Sequence, residues 1–162
     1  MSSKHQKGVG LIEVLVALLI LSIAILGFIA LQYRALEAAN EAYARTQAMQ
    51  IARDLGERIR ANQFAITGYV AALKFPRNAV AVASKNDYTS DEFAQLDANE
   101  ILQLSQKANM EVALAQCEGT QRYCIYVAWG TTKPTNADDT HACTTNGTYR
   151  ATSQCIVVEA YQ

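Results

Sequence analysis

Two groups of residues have types and spacing that could do chemistry. The first is Lys7-Gly8-Val9-Gly10-Leu11-Ile12-Glu13, which runs into an uncharged apolar stretch from Val14 to Leu31. Glu13 is the only carboxylate there, and the head before it carries Lys4, His5 and Lys7 with no acid. The second is Cys117, Cys124, Cys143 and Cys155, an even number confined to the last third of the chain. As a helix, the apolar stretch is long enough at ~1.5 Å per residue to cross most of a ~30 Å bilayer core. A secretory signal would need a small-residue cleavage site after it. Leu26-Gly27-Phe28-Ile29-Ala30-Leu31 instead continues into Gln32-Tyr33-Arg34-Ala35-Leu36 without one. A plain anchor accounts for the length but not for Glu13, because an ionised group costs roughly 2.5–3.5 kcal/mol at mid-bilayer and less near an end. The remaining reading is a cut after Gly8, which makes Val9 the new N-terminus and Glu13 its fifth residue.

Gly8 followed by Val9-Gly10-Leu11-Ile12-Glu13-Val14-Leu15-Val16-Ala17-Leu18 resembles the class III signal of type IV pilins and type II secretion pseudopilins. The resemblance implies that a prepilin peptidase cuts between Gly8 and Val9, that the Val9 amine is then methylated, and that Glu13 serves assembly. Two positions depart from the family pattern: Val9 stands where Phe is usual, and Gly10 where Thr or Ser is frequent. Ser22-Ile23-Ala24-Ile25-Leu26-Gly27, then Ala48-Met49-Gln50-Ile51-Ala52-Arg53-Asp54-Leu55 and Arg58-Ile59-Arg60-Ala61, are similar to PilV-type minor pilins of the type IV pilus. That likeness covers the first ~60 residues well and the remainder loosely. It implies a part in initiating pilus assembly beside other minor pilins and the major pilin, with pilus-dependent adhesion or twitching motility downstream. A type II secretion pseudopilin, which shares Glu13-Val14-Leu15-Val16-Ala17-Leu18, is the alternative. A tethered periplasmic binding domain, never cut at Gly8, is another.

Enzymatic chemistry finds little footing. There are two histidines, His5 in the leader and His141 in a polar stretch, and no nucleophile elbow. Structural zinc sites favour cysteines two to four residues apart, and the closest pair here, Cys117 and Cys124, is wider. The expectation is no metal, no cofactor and no catalysis. The formal net charge is -1, so no basic surplus points to nucleic acid. Lys133 and Arg150 are the only hint in that direction.

The 162 residues leave room for one modest domain beyond a long helix. Lys4 and Lys7 place the head on the cytoplasmic side of the inner membrane. The rest then faces the periplasm, where an even set of cysteines reads as disulfides. Locality favours Cys117–Cys124 and Cys143–Cys155 among three connectivities.

The fold class expected is α+β and pilin-like: a long N-terminal helix, transmembrane and then amphipathic, packed on a small antiparallel sheet. The expected segments are a cleaved leader over 1–8, a membrane or filament-core helix over 9–31, its amphipathic continuation over 32–62, and a periplasmic globular domain over 63–162. No proline occurs before Pro76, and Ala, Leu, Glu, Gln and Arg dominate Gln32 to Ala61. Ile51, Leu55 and Ile59, with Ala48 and Ala52, form the inward stripe. Glu41 with Arg45 and Asp54 with Arg58 have ion-pair spacing. Pro76 and Asn78 mark a connection, and Ala79 to Ala83 reads as a short strand. Thr89 and Glu92 have capping-box spacing. They open a helix whose stripe is Phe93, Leu96, Ile101, Leu104, Ala108 and Val112, reaching about Ala115, with Asp97-Ala98-Asn99 as a candidate break. Asp91, Glu92, Asp97 and Glu100 read as its solvated face. Tyr123 to Trp129 and Cys155 to Glu159 read as strands, and Thr131 to Ser153 as a long loop.

Overall fold

The computed structural model of the chain describes residues 10–76 and 87–160. The short strand expected at Ala79 to Ala83 lies outside the described residues. The chain divides into two compact units meeting between Ala42 and Tyr43. Helix α1, Leu11–Ala61, runs through that boundary. In the first unit the large apolar residues from Leu11 to Leu31 are all exposed.

The second unit is built on the end of α1. Ala48, Ala52, Leu55 and Ile59 are buried there, and Ile51 sits half-buried at the margin of the stripe. A 3-10 turn at Gln63–Ala65 leads to helix α2, Ile66–Ala72, in a stretch that carries no strong sequence signal. Helix α3, Ser90–Lys107, begins at the expected capping box: the Glu92 N–H donates to Thr89 Oγ1, and the Thr89 N–H donates to Glu92 Oε2 at 2.9 Å.

The inward face of α3 differs from the expected one. Ala94, Ala98, Ile101, Leu102 and Ser105 are buried, whereas Phe93 is 52% and Leu104 41% exposed. The reason is the close crossing of α2. A Cβ on Gly68 would stand 2.9 Å from the Asp91 carbonyl oxygen and 3.2 Å from Ala94 Cβ. Small residues therefore line the contact, and the bulky ones turn outward. Ala98 is buried mid-helix, and the helix does not break at Asp97-Ala98-Asn99.

α3 also ends at Lys107 rather than near Ala115. Asn109 adopts a left-handed φ of 53°, and the chain leaves extended. Ala108 and Val112 fit the helical i, i+4 spacing, but Met110, Val112 and Leu114 fit a strand's period of two equally well. The strand is the observed outcome.

The strands are β1 Met110–Gln116, β2 Tyr123–Trp129, β3 Lys133–Asn136, β4 Ala142–Thr145, β5 Thr148–Tyr149 and β6 Cys155–Ala160. The main sheet is antiparallel in the order β1-β2-β6, with Ala113 opposite Tyr126 and Tyr126 opposite Val157. Val112, Leu114, Ile125, Val127 and Ile156 join the helices in one core. Ala113, Tyr126, Ala128 and Cys155 point the other way, into a second core. β2 is buried on both faces, which explains its unbroken apolar sequence.

The second core is covered by β3, β4 and β5, which replace the loop expected from Thr131 to Ser153. β3 pairs with β4 in parallel, and β4 with β5 in a tight hairpin. Asn146 and Gly147 turn that hairpin with φ of 50° and 73°, the two positive values that a type I′ turn requires. Asn136 holds the excursion together: its Oδ1 accepts from Thr144 Oγ1 and the Gly147 N–H, and its Nδ2 donates to Glu118 Oε2.

Both edges of the main sheet are partly blunted. The Leu114 N–H donates to the Leu73 carbonyl on the β1 side. On the β6 side the Val157 N–H donates to Tyr149 Oη at 2.7 Å. Such contacts limit unwanted strand pairing.

Candidate functional site

Glu13 lies in the first turn of α1, where the partial positive charge of the helix N-terminus favours a carboxylate. Its own N–H donates to the Gly10 carbonyl at 2.9 Å. Gly8 and Val9 lie outside the described residues. From Leu11 to Leu31 the helix rises ~31 Å at ~1.5 Å per residue, the thickness of a bilayer core. None of this apolar span is buried within the chain. A surface of Leu, Ile, Val and Phe on this scale needs lipid or other helices around it. The one hydroxyl in its middle, Ser22, donates back to the Leu18 carbonyl at 2.7 Å, so its proton is satisfied within the helix. Gly27 sits within the continuous helix, and a Cβ there would touch nothing within 4 Å.

The four cysteines form two disulfides. Cys117–Cys124 closes the end of the β1–β2 hairpin, and Cys143–Cys155 fixes β4 to β6. Short closed loops of this kind are worth on the order of 2–3 kcal/mol each. Among the described residues no three His, Cys, Asp or Glu side chains converge to hold a metal.

Three of the acids expected on a solvated face have specific work. Glu92 completes the cap of α3. Asp97 Oδ1 and Glu100 Oε2 each accept from Arg58 Nη1 at 2.8 Å, while Asp54 Oδ1 accepts from Arg58 Nε at 3.0 Å. The Tyr69 hydroxyl donates to Asp97 Oδ2 at 2.7 Å. Hydrogen bonding to Glu100, then to Asp54, holds the Arg58 guanidinium even more firmly charged than usual. Burial first, and the Asp97 hydrogen bond second, push the Tyr69 phenol upward. Only the Asp54–Arg58 spacing was visible locally. The other partners lie 39 and 42 positions away in sequence.

The two cations of the β3–β5 excursion are engaged. Arg150 Nη1 donates to Thr145 Oγ1 and stands 3.6 Å from Asp138. Lys133 Nζ donates to Asp139 Oδ2 at 2.8 Å, and the His141 N–H donates to Asp139 Oδ1 at 3.1 Å. The Lys133 bond, followed by the His141 N–H, lowers the Asp139 carboxyl to about 2. A carboxylate whose folded value is depressed stabilises the fold above its unfolded value, ~3.9, and loses that contribution as pH falls through the folded one. The expected result is that the His141 amide resonance titrates with a midpoint near 2. In Lys133→Ala the midpoint moves up toward ~4. A midpoint near ~4 in the unaltered chain would contradict the pairing.

Two family models match the sequence. The prokaryotic N-terminal methylation motif matches residues 3–29. The model described as Type IV pilin Tt1218 matches residues 30–99. The two matches abut and end within α3, so neither reaches β1 or anything after it. No curated protein and no solved structure matches the chain.

Proposed function

We propose that this chain, which carries a type IV pilin match and an N-terminal methylation motif, is a minor pilin of the type IV pilus. The PilV-type character, the minor role and the part in assembly initiation are proposals that rest on the likeness of Ser22 to Gly27 and Ala48 to Ala61. The observation that carries the reading is Glu13 at the start of an unburied apolar helix, inside a matched methylation motif.

The mechanism follows from charge. The prepilin enters the inner membrane with residues 1–8 in the cytoplasm and residues 63–162 in the periplasm. Prepilin peptidase cuts between Gly8 and Val9 and frees an ammonium at Val9, which is then methylated. A Glu13 carboxylate of one subunit and the amine of a neighbour neutralise each other as apolar helices 9–31 leave lipid for one another. At ~4 Å and an effective dielectric near ~20 the attraction is about 4 kcal/mol. That is comparable to the roughly 2.5–3.5 kcal/mol cost of an unpaired charge in the membrane. Pairing also sets the axial offset between subunits. The amphipathic part, 32–62, then carries each domain on the outside of the filament, in a structural and not a catalytic role.

Mass spectrometry of the mature N-terminus in the native host tests this. The expected species begins at N-methylated Val9. Protein that retains Met1 through Gly8 in the membrane would leave a tethered domain and remove the filament mechanism. Loss of protein export on deletion, with piliation intact, would assign the chain to a secretion pseudopilus instead.

A further inference from the structure

We propose that the outer edge of β6, capped at Val157 by Tyr149, and the trough beside it dock an extended, acidic segment of another polypeptide by strand addition. Among the described residues β6 is the outermost strand of the main sheet and pairs with β2 alone. The Trp129 N–H donates to the Gln154 carbonyl, and Val127 lies opposite Ile156. The alternation of an antiparallel ladder then directs the backbone groups of Ile156, Val158 and Ala160 toward β2. Those of Cys155, Val157 and Glu159 point outward. The outward Val157 N–H is the group that Tyr149 Oη takes, in agreement with this phase. Tyr149 is itself 52% exposed, so its hydroxyl can yield that N–H to an incoming carbonyl.

Beside this edge runs a trough of about 510 Å³, lined by Arg45 and Met49 of α1, by Tyr149 and Arg150, and by Cys155 and Ile156 of β6. The lining residues include two arginines, Arg45 and Arg150, and no acidic residue. Arg45 is exposed on its helix. The Asp138 that lies 3.6 Å from Arg150 is 94% exposed, so an incoming acid can take its place at little cost. Unpaired backbone groups supply affinity for any extended chain, and the flanking side chains choose among sequences. Two cations with an apolar floor choose alternating acidic and β-branched residues. The occupant is a polypeptide because the outward N–H and C=O groups of a strand have their match in another strand.

The test uses the full chain in detergent micelles and a fluorescein-labelled peptide of alternating glutamate and valine, read by fluorescence anisotropy. Saturable binding is expected, while an alternating lysine–valine peptide does not bind. Arg45→Glu, on an exposed helix position, weakens binding about tenfold or more. Tyr149→Phe removes the competing acceptor and strengthens it. Val157→Pro abolishes it, since proline at an outward edge position spares the β2–β6 ladder but cannot donate. Should that variant unfold, amide exchange on the unaltered chain serves instead, with peptide protecting the Val157 and Glu159 amides. No saturation up to about 1 mM would overturn the proposal. So would peptide binding without protection of those amides, or polyphosphate binding equally to the Val157→Pro variant and displacing the peptide. Neither processing at Gly8 nor filament formation enters the measurement, so its failure and that of the assembly mechanism are separable.

Discussion

Glu13→Ala is expected to insert in the membrane and be cut after Gly8, yet to enter filaments at a small fraction of the normal level. Insertion should not suffer, because removing a carboxylate from an apolar helix lowers the cost of burial. Cleavage should not suffer on charge grounds either, since the basic head and Gly8 are untouched. On the proposed mechanism, what is lost is the partner for a neighbour's Val9 ammonium. If the pair is worth about 4 kcal/mol, its loss weakens each subunit contact on the order of a thousandfold. Glu13→Gln separates charge from hydrogen bonding: it keeps an acceptor of the same size and is expected to behave like the alanine variant. Glu13→Asp keeps the charge on a shorter arm and should recover in part. Immunoblots of membrane and sheared-filament fractions, with co-purification of the other pilins, read the outcome. Normal piliation and normal co-purification in Glu13→Ala would sink the charge-pair account and leave only helix packing to drive assembly.

The elements that could be read from sequence are those whose cause is local. α1 follows from a long stretch of good helix formers without proline, and the start of α3 from a Thr89 side chain within reach of the Glu92 amide. β2 announced itself by aromatic and β-branched residues. The misread regions are those decided by what lies across from them. Ala94 and Ala98 look like filler until Gly68 brings α2 against them, and Phe93 looks like core until that crossing excludes it. The strands β3, β4 and β5 span four, four and two residues and include Lys133, Asn136 and Thr148. No period emerges from pieces so short and polar. They exist because Cys143 is tied to Cys155 and because Asn136 bonds groups in two neighbouring turns, Glu118 and Gly147. The candidate site divides the same way. Glu13 is conspicuous because a lone acid at the head of an apolar run is costly in a membrane, and the helix N-terminus offsets only part of that cost. The Arg45–Arg150 trough gave no signal, since its two cations come together only in the fold.

Arg58→Ala is expected to be the most damaging change of a charged residue to alanine in the 43–162 unit, at about 2–4 kcal/mol. The side chain of Arg58 is only 23% exposed and spans three carboxylates, one on its own helix and two on α3. Glu100 and Asp54 are open enough to water, at 61% and 43%, that their share is screened. Asp97 is not. It is 33% exposed, lies at 2.8 Å from Arg58 and also accepts from the buried Tyr69 hydroxyl. Removing the cation leaves that carboxylate in a half-dry site beside two others, and charge-assisted bonds of this kind are worth roughly 1.5–3 kcal/mol each. For a domain of this size the loss corresponds to a fall in Tm of roughly 10 °C. Arg58→Lys should recover little, because a single ammonium cannot reach acids that a planar fork contacts from two nitrogens. Tyr69→Phe should cost less, about 1–2 kcal/mol, since the Arg58–Asp97 pair survives it. Thermal unfolding of each full-length variant followed by circular dichroism ranks them. If Arg58→Ala melts within ~2 °C of the unaltered chain, the pairings are surface decoration, and the apolar stripe of Ala48, Ala52, Leu55 and Ile59 alone holds α3 to the helix.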